Sequence, residues 1–145
     1  MDQYVGLDVS QDETHVCVVD RDGNKLWEGH CPSTPEGIGE TVQKHAPEAV
    51  KIGLESGHLS TWHWHGLNDM GLPAICIDAY HAHGVLRLQM NKTDKNDAHG
   101  IAQIMRCNWY KEVTIKSFEN HESRALFRTR SNLVSMRTDV VNQIR

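Results

Sequence analysis

A helix-like segment between two strand-like runs constrains the fold of this chain more than any other feature. The segment is "TPEGIGETVQKHA" (34–46), with Thr34 suited to a helix N-cap and Pro35 to the first helical position. It follows strand-like sequence and leads directly into another strand-like run, "AVKIGLES". A helix between two strands is a crossover connection, and crossovers join parallel strands. The chain is therefore predicted to contain a sheet with a parallel pair.

The other strand-like runs complete this sheet. Near the N-terminus a three-stranded meander is predicted from "YVGLDVS", "THVCVVD" and "KLWEGH", with an Asp22-Gly23 turn. A second helix is predicted from "LSTWHWHGLNDMG", in which helical spacing assigns Trp62 to the core, and a fifth strand from "LPAICID". The order β-β-β-α-β-α-β describes an α/β fold: a mixed five-stranded sheet with flanking helices, the ribonuclease H-like topology.

A long amphipathic pattern occupies the end of the chain. From about Glu119 to the last residue, Leu126, Leu133 and Val140 repeat every seven positions, so this stretch predicts a helix whose apolar stripe packs on a partner. At 145 residues and 39% hydrophobic, the chain suits one domain plus an appendage. We expect one domain over 1–107 and a helical arm over 108–145. The arm is expected to mediate a homodimer or higher oligomer, and the sequence is expected to stop within a longer helix.

Charge is distributed unevenly along the chain. Through Ile104 there are 7 Lys or Arg against 15 Asp or Glu, a balance of −8, whereas from Met105 onward there are 8 against 4, a balance of +4. The basic end predicts contact with nucleic acid. Nothing approaches the roughly 20 apolar residues of a membrane span, and no leader opens the sequence, so a soluble, cytoplasmic protein is expected. The arm's candidate contacts to nucleic acid are Arg124, Arg128, Arg130 and Arg137.

Two acidic residues interrupt apolar strands at equivalent places. Asp8 follows Gly-Leu in "YVGLDVS", and Glu55 follows Gly-Leu in "KIGLESG". An acid within an apolar strand is unfavourable unless something offsets its desolvation, so both acids are candidates for one shared site. If these strands are parallel neighbours, Asp8 and Glu55 stand side by side at their carboxyl ends, where open α/β sheets hold ligands.

A third acidic motif, "KTDKNDA" (92–98), predicts the start of a helix. Thr93 is a suitable N-cap, which places Asp94 and Asp97 on one face of the first turn. Four clustered carboxylates repel one another unless a cation neutralises them, and oxygen ligands favour Mg²⁺ or Mn²⁺. Two such ions can hold the attacking and departing oxygens of a phosphodiester. Candidates to hold the flanking phosphates are Arg87, Lys92 and Lys95.

Simpler explanations exist for each residue taken singly. Asp8 could cap a hairpin, Glu55 could cap the following helix, and Asp94 and Asp97 could favour a helix N-terminus. The histidine pairs in "TWHWH" and "AYHAH" could bind zinc, but no matching Cys or His spacing completes a tetrahedral set. The acids in combination therefore carry the functional interpretation.

Three motifs in this order and spacing, "GLDVS", "GLES" and "KTDKNDA", resemble the DEDD motif of bacterial insertion-sequence-110 family transposases and the related pilin-gene invertases. The resemblance covers roughly residues 4–107 and implies a RuvC-like N-terminal catalytic domain. It also implies that Asp8, Glu55, Asp94 and Asp97 are the catalytic acids that bind Mg²⁺ or Mn²⁺. The implied activity is metal-dependent DNA strand cleavage and transfer, directed by a structured guide RNA.

The resemblance further implies a C-terminal domain with a nucleophilic serine after the coiled-coil-like arm, so we expect this chain alone not to complete recombination. Two other functions stay open. One is a non-catalytic, dimerising nucleic-acid-binding module with vestigial acids. The other is an actin-like or sugar-kinase-like phosphotransferase, which is disfavoured because "DVSQDETH" lacks the glycines of a phosphate-binding loop.

Overall fold

The computed structural model describes residues 1–88 and 94–145, without the side chains of residues 94–96 and 121. The chain divides into two compact units, Met1–Ile115 and Lys116–Arg145. Each unit is described by itself below.

The first unit contains a five-stranded sheet in the order β3-β2-β1-β4-β5. Strand β1 pairs antiparallel with β2, and β2 with β3, whereas β1 with β4 and β4 with β5 are parallel. The predicted mixed sheet of ribonuclease H-like topology is therefore confirmed. The strands are β1 (Gln3–Val9), β2 (Glu13–Asp20), β3 (Lys25–Pro32), β4 (Ala49–Glu55) and β5 (Ala74–Ile77).

The described residues form five helices. The helix predicted from the crossover segment is confirmed as α1, and the Thr34 hydroxyl accepts a hydrogen bond of 3.1 Å from the Gly37 amide at its start. Helix α3 has no counterpart in the sequence-based prediction, and the Asp78 side chain caps it. The helices are α1 (Pro35–His45), α2 (Ser60–Asp69), α3 (Ala79–Leu86), α4 (Asp94–Cys107) and α5 (Phe118–Ile144).

Apolar side chains cover both faces of the sheet. On one face, core residues of β1, β2 and β4 pack against Ile38 and Val42 of α1 and Leu67 of α2. On the other face, α4 packs its buried Ala98 and Ala102 over β1 and β2. Because both faces of β1 and β4 are covered, the ends of these two strands are where their polar side chains can reach solvent.

The core position assigned to Trp62 is wrong, since this side chain is 43% exposed. The next residue of α2, His63, is fully buried, and its Nδ1 lies 2.8 Å from the Leu59 carbonyl oxygen while its Nε2 lies 3.1 Å from that of Ser33. Helical spacing alone did not distinguish Trp62 from His63. A buried imidazole needs hydrogen-bond partners, and here backbone carbonyl groups brought close by the tertiary structure supply them.

Residues after α4 return to the sheet. The Lys111 carbonyl accepts from the Asp78 amide at 2.9 Å, the Val113 amide donates to the Cys76 carbonyl at 2.8 Å, and Glu112 forms a bridge with Ile77. This segment, which lies within the predicted arm, therefore extends the edge of the sheet beside β5 and belongs to the first unit.

The second unit consists mainly of the long helix α5, whose predicted apolar stripe is present and exposed. Leu126 is 72% exposed, and Leu133 and Val140 are also exposed. The Ser117 side chain accepts from the Asn120 amide at the start of this helix. Within the described residues, none of the helices combines the length and apolar character that crossing a membrane requires.

Candidate active site

Asp8 and Glu55 occupy equivalent places on neighbouring strands. Leu7 of β1 is in register with Leu54 of β4 in the parallel pair, so the next residue on each strand is the acid. Both acids lie near the carboxyl ends of their strands. Because side chains alternate along a strand and the two strands are in register, both acids point to the same face of the sheet. The condition on which the sequence analysis based a shared site is met, since β1 and β4 are parallel neighbours.

Two glycines allow α4 to approach this pair of strands closely. A Cβ atom at Gly6 would lie 2.0 Å from the Ala98 carbonyl oxygen and 2.4 Å from the Ala102 amide nitrogen. At Gly53 it would lie 2.7 Å from Cγ of Met105. Real Cβ atoms do not tolerate such contacts, so glycine at position 6 permits the backbone of α4 to rest on β1, and glycine at position 53 leaves room on β4 for the Met105 side chain.

This approach brings the first turn of α4 towards the two strand acids. Asp97 directly precedes Ala98, the residue in closest approach to β1, and its side chain is half-buried. The Asp97 carboxylate is near enough to act electrostatically on Glu55, as the Asp8 carboxylate also does. Three of the four predicted acids therefore share one neighbourhood.

The environment of Glu55 disfavours its charged form. Burial is the largest effect that raises the pKa of this carboxyl above its usual value, and the like charges of Asp8 and Asp97 raise it further. The side chain of His83 has the opposite effect and lowers the pKa. Because Glu55 is only 26% exposed, water screens these interactions incompletely.

His83 is a residue of this site that the sequence analysis did not assign. It lies on α3, and its Nε2 is 3.6 Å from Oε2 of Glu55, an ion-pair distance when the imidazole is protonated. In the sequence, the "AYHAH" segment indicates only a histidine pair that could bind zinc, without the further ligands that a zinc site requires. The connection to Glu55 depends on α3, which the sequence patterns did not reveal.

Not every predicted site residue falls within the described part of the chain. Asp94 is the first residue of α4, but its side chain and that of Lys95 are not described. Lys92 and the Thr93 cap lie outside the described residues altogether. Arg87 is exposed at the end of α3. The four candidate arginines of the arm, which are exposed along α5 in the second unit, are Arg124, Arg128, Arg130 and Arg137.

The donor chemistry of this neighbourhood fits a hard divalent cation, since its acids offer only carboxylate oxygens. Among the side chains described, however, no three His, Cys, Asp or Glu groups converge on a common point as metal ligands would. The described acids thus lie near one another but do not form a complete set of metal ligands. Burial and repulsion by the neighbouring acids raise the pKa of Glu55, and a bound cation would offset both effects.

A polar row continues from the acids across β2 and β3. His15 is the cross-strand partner of Asp8, stacks on His30 at 4.6 Å between ring centroids, and places Nε2 3.0 Å from Oε1 of Glu28. That last contact has an ion-pair distance without hydrogen-bond geometry, which leaves Oε1 of Glu28 unsatisfied in the structure. Lys25 donates to the other carboxylate oxygen. This row was not recognised in the sequence because it forms only when three strands pair.

Comparison with known proteins places this arrangement in a family. The sequence model of the insertion-sequence-110 type DEDD transposases, described as "Transposase", matches residues 5–145. A curated relative, the transposase for insertion sequence element IS1111A of Coxiella burnetii, is 26% identical over 147 residues. That alignment covers 99% of this chain but 38% of the relative, so the chain spans well under half of its length.

Solved structures agree with the fold. The RuvC structure of Thermus thermophilus covers 77% of this chain and 99% of its own, with a TM-score of 0.52 and 13% identity. T. thermophilus RuvC in complex with a Holliday junction substrate covers 78% of this chain and 100% of its own, with a TM-score of 0.53 and 12% identity. At such identities the similarity establishes the RuvC-like, ribonuclease H-like fold. Since the family model spans nearly the whole sequence, the chain belongs to the insertion-sequence-110 family of DEDD transposases.

Proposed function

We propose that the first unit is the catalytic domain of a DNA recombinase, which carries out Mg²⁺- or Mn²⁺-dependent DNA strand cleavage and transfer. Asp8, Glu55, Asp94 and Asp97 are its metal-binding catalytic acids. The observation that carries the proposal is the placement of Asp8 and Glu55 on adjacent parallel strands, with Asp97 acting electrostatically on Glu55 from α4.

The chain's own residues have distinct parts in this proposal. Asp8 and Glu55 are held by paired strands with buried Leu7 and Leu54 beside them, so their backbone positions are rigid. Asp97 depends on the packing of α4 against Gly6. When bound, the cation supplies positive charge that offsets the negative charge developing on a phosphodiester in the transition state. Rigid placement matters because such stabilisation requires groups that are already oriented.

DNA is the proposed substrate. RuvC of T. thermophilus, which shares the fold of this chain, has been solved in complex with a Holliday junction substrate. From that complex we take only DNA as the class of substrate for this chain. Arg87, Lys92 and Lys95 would hold phosphates beside the acids. The arginines of α5, which are exposed and carry the positive balance of the C-terminal region, would add contacts to DNA or to a structured guide RNA.

The family resemblance also motivates three wider proposals. A serine-bearing C-terminal domain would supply the nucleophile, so this chain alone would bind metal and nucleic acid without completing recombination. Helix α5 would join two copies, because its apolar stripe is exposed in the single chain. Action on bacterial DNA would place the protein in the cytoplasm.

A metal titration followed by thermal unfolding tests the proposal. We expect Mn²⁺ to stabilise the intact chain by about 1.4 kcal/mol when free metal exceeds the dissociation constant roughly tenfold. Asp8→Asn and Asp97→Asn should lose this stabilisation because each removes a charged ligand. Asp69→Asn, which changes an exposed acid at the end of α2, is the matched control and should retain it.

The opposite result is equally informative. If millimolar Mn²⁺ leaves the unfolding temperature of the intact chain unchanged, the acids do not form a metal site and the catalytic proposal fails. Binding of DNA under the same conditions would then favour the non-catalytic nucleic-acid-binding module.

A further inference from the structure

A cavity of about 480 Å³ opens at the carboxyl ends of β1 and β4, and both Asp8 and Glu55 line it. The rest of its wall comes from the loop after β1, the loop after β4 and the start of α2. Since Leu7 and Leu54 belong to the core on the α1 and α2 side, the cavity extends to the face of the sheet opposite α4. The acids therefore have α4 on one side and this cavity on the other.

The wall of the cavity is apolar where it is buried and polar where it is exposed. Leu54 is buried, and Val9 and Leu59 are partly buried. Ser10 and the exposed His58 lie at the rim. This combination suits a flat apolar group that carries hydrogen-bonding edges.

Charge argues against a phosphate as the occupant. Among the described residues that line the cavity there is no Lys or Arg, whereas Asp8 and Glu55 both contribute carboxyl groups. An anion inside would face these acids without a fixed positive partner. The chemistry of the wall therefore favours the neutral part of a nucleotide, its base and sugar.

We propose that this cavity receives the base and sugar of one unpaired nucleotide beside the phosphodiester that the acids act on. The inference rests on the proposed function and adds that the substrate has an unstacked nucleotide at the cleavage site. A base within a duplex is stacked on both faces and paired along one edge, so it cannot enter this cavity without being displaced from the duplex. The imidazole of His58 at the rim offers a ring for stacking.

Gly57 provides a way to fill the cavity without disturbing the fold. It lines the cavity, and a Cβ atom built there meets nothing within 4 Å. Gly57→Phe should therefore add a ring at the wall of the cavity without a clash, while the hydrogen bonds between the Gly57 backbone and the Ser60 hydroxyl stay intact. Gly84→Phe is the matched control, because Gly84 is also exposed with nothing within 4 Å and does not line the cavity.

The experiment compares two labelled duplexes that differ by one unpaired nucleotide, by fluorescence anisotropy with Ca²⁺ in place of Mg²⁺. The intact chain should bind the bulged duplex roughly tenfold more tightly than the fully paired one, the effect of one base–ring contact. Gly57→Phe should abolish this preference and Gly84→Phe should keep it. His58→Ala, which removes only the rim ring, should reduce the preference severalfold and covers the case in which Gly57→Phe fails to fold.

Equal binding of the two duplexes by the intact chain, or an undiminished preference in folded Gly57→Phe, would overturn the inference. The Mn²⁺ thermal titration on the same samples separates the two proposals. Stabilisation by Mn²⁺ without a bulge preference would reject the cavity inference alone. A bulge preference that Gly57→Phe removes, without Mn²⁺ stabilisation, would support the cavity and reject the metal-dependent function.

Discussion

Gly6 of β1 lies so close to Ala98 of α4 that a Cβ atom on the glycine would stand 2.0 Å from the Ala98 carbonyl oxygen. The Ala102 amide nitrogen would lie 2.4 Å from the same Cβ atom. Both of these atoms belong to the backbone of a helix, so they cannot move aside as a flexible side chain could. The position of α4 over the strand acids therefore depends on a missing methyl group. Because Asp97 is carried on the same helix, the candidate active site depends on it too.

Gly6→Ala should destabilise the first unit by about 3 kcal/mol, because α4 must move away from β1 to accommodate the methyl group. Chemical denaturation measures this loss. The same variant should lose its thermal response to Mn²⁺, since the shift of α4 displaces Asp97. Gly84→Ala is the control, as its Cβ meets open space within a helix, and it should stabilise the protein by about 0.5 to 1 kcal/mol. A Gly6→Ala protein of unchanged stability would show that α4 does not rest on β1 as described.

Glu55→Gln should stabilise the metal-free protein at neutral pH, because it removes a buried charge that Asp8 and Asp97 repel. We expect a rise in unfolding temperature of about 3 °C, which corresponds to about 1 kcal/mol in a chain of this size. The measurement is thermal unfolding in the presence of a chelator. Glu40→Gln on the exposed face of α1 is the control and should leave the unfolding temperature unchanged.

The advantage of Glu55→Gln should grow with pH. Folding raises the pKa of Glu55, so the folded state holds this proton more tightly than the unfolded chain does. Stability from this group is fully present below the unfolded pKa and is lost as pH rises through the folded pKa. The difference in unfolding temperature between the variant and the parent should therefore increase from about pH 4 to about pH 7. A difference that shrinks over this range would contradict the raised pKa.

Thiol reactivity should distinguish one cysteine from the other three. Burial raises the pKa of Cys17 and of Cys76 to about 11 and also raises that of Cys31, whereas Cys107 is exposed. The thiolate is the reactive form of cysteine, so an aromatic disulfide reagent at about pH 8 should modify the exposed Cys107 rapidly in the native protein. The remainder should react only after unfolding. Cys107→Ser should remove the rapid phase, and a second rapid thiol would show that the sheet opens readily.

The apolar stripe of α5 should drive self-association. In the single chain Leu126, Leu133 and Val140 are all exposed. Packing these three side chains against a helix of a second copy would bury apolar surface. Light scattering should report a dimer or larger species for the intact chain. Replacing all three residues by Gln should yield a monomer while retaining helix α5.

A matched substitution on the same helix controls for loss of helicity. Ser131, Asn132 and Thr138 are polar positions of α5 outside the repeating apolar set, and replacing them by Gln should leave the oligomeric state unchanged. A monomeric intact chain at high micromolar concentration would exclude association through this helix.

The topology of the sheet was predictable because it depends on local patterns and one general rule. The alternating apolar runs and the crossover helix between β3 and β4 give β1 and β4 the same direction, and the structure shows in addition that these strands are neighbours. Trp62 and His63 show the limit of such reasoning, since both have helical spacing but only the imidazole finds backbone partners in the core. Helix α3 was missed, and with it the contact between His83 and Glu55.

The sequence by itself determined which strands carry acids and that these acids follow equivalent Gly-Leu pairs, because period-two alternation and chain order are local properties. Only the tertiary structure decided that the backbone of α4 rests on Gly6, that Asp97 acts on Glu55, and that a cavity opens on the other side of the same acids. These features depend on distances between residues far apart in the chain. Such distances arise when helices pack on a sheet, and no local pattern specifies them.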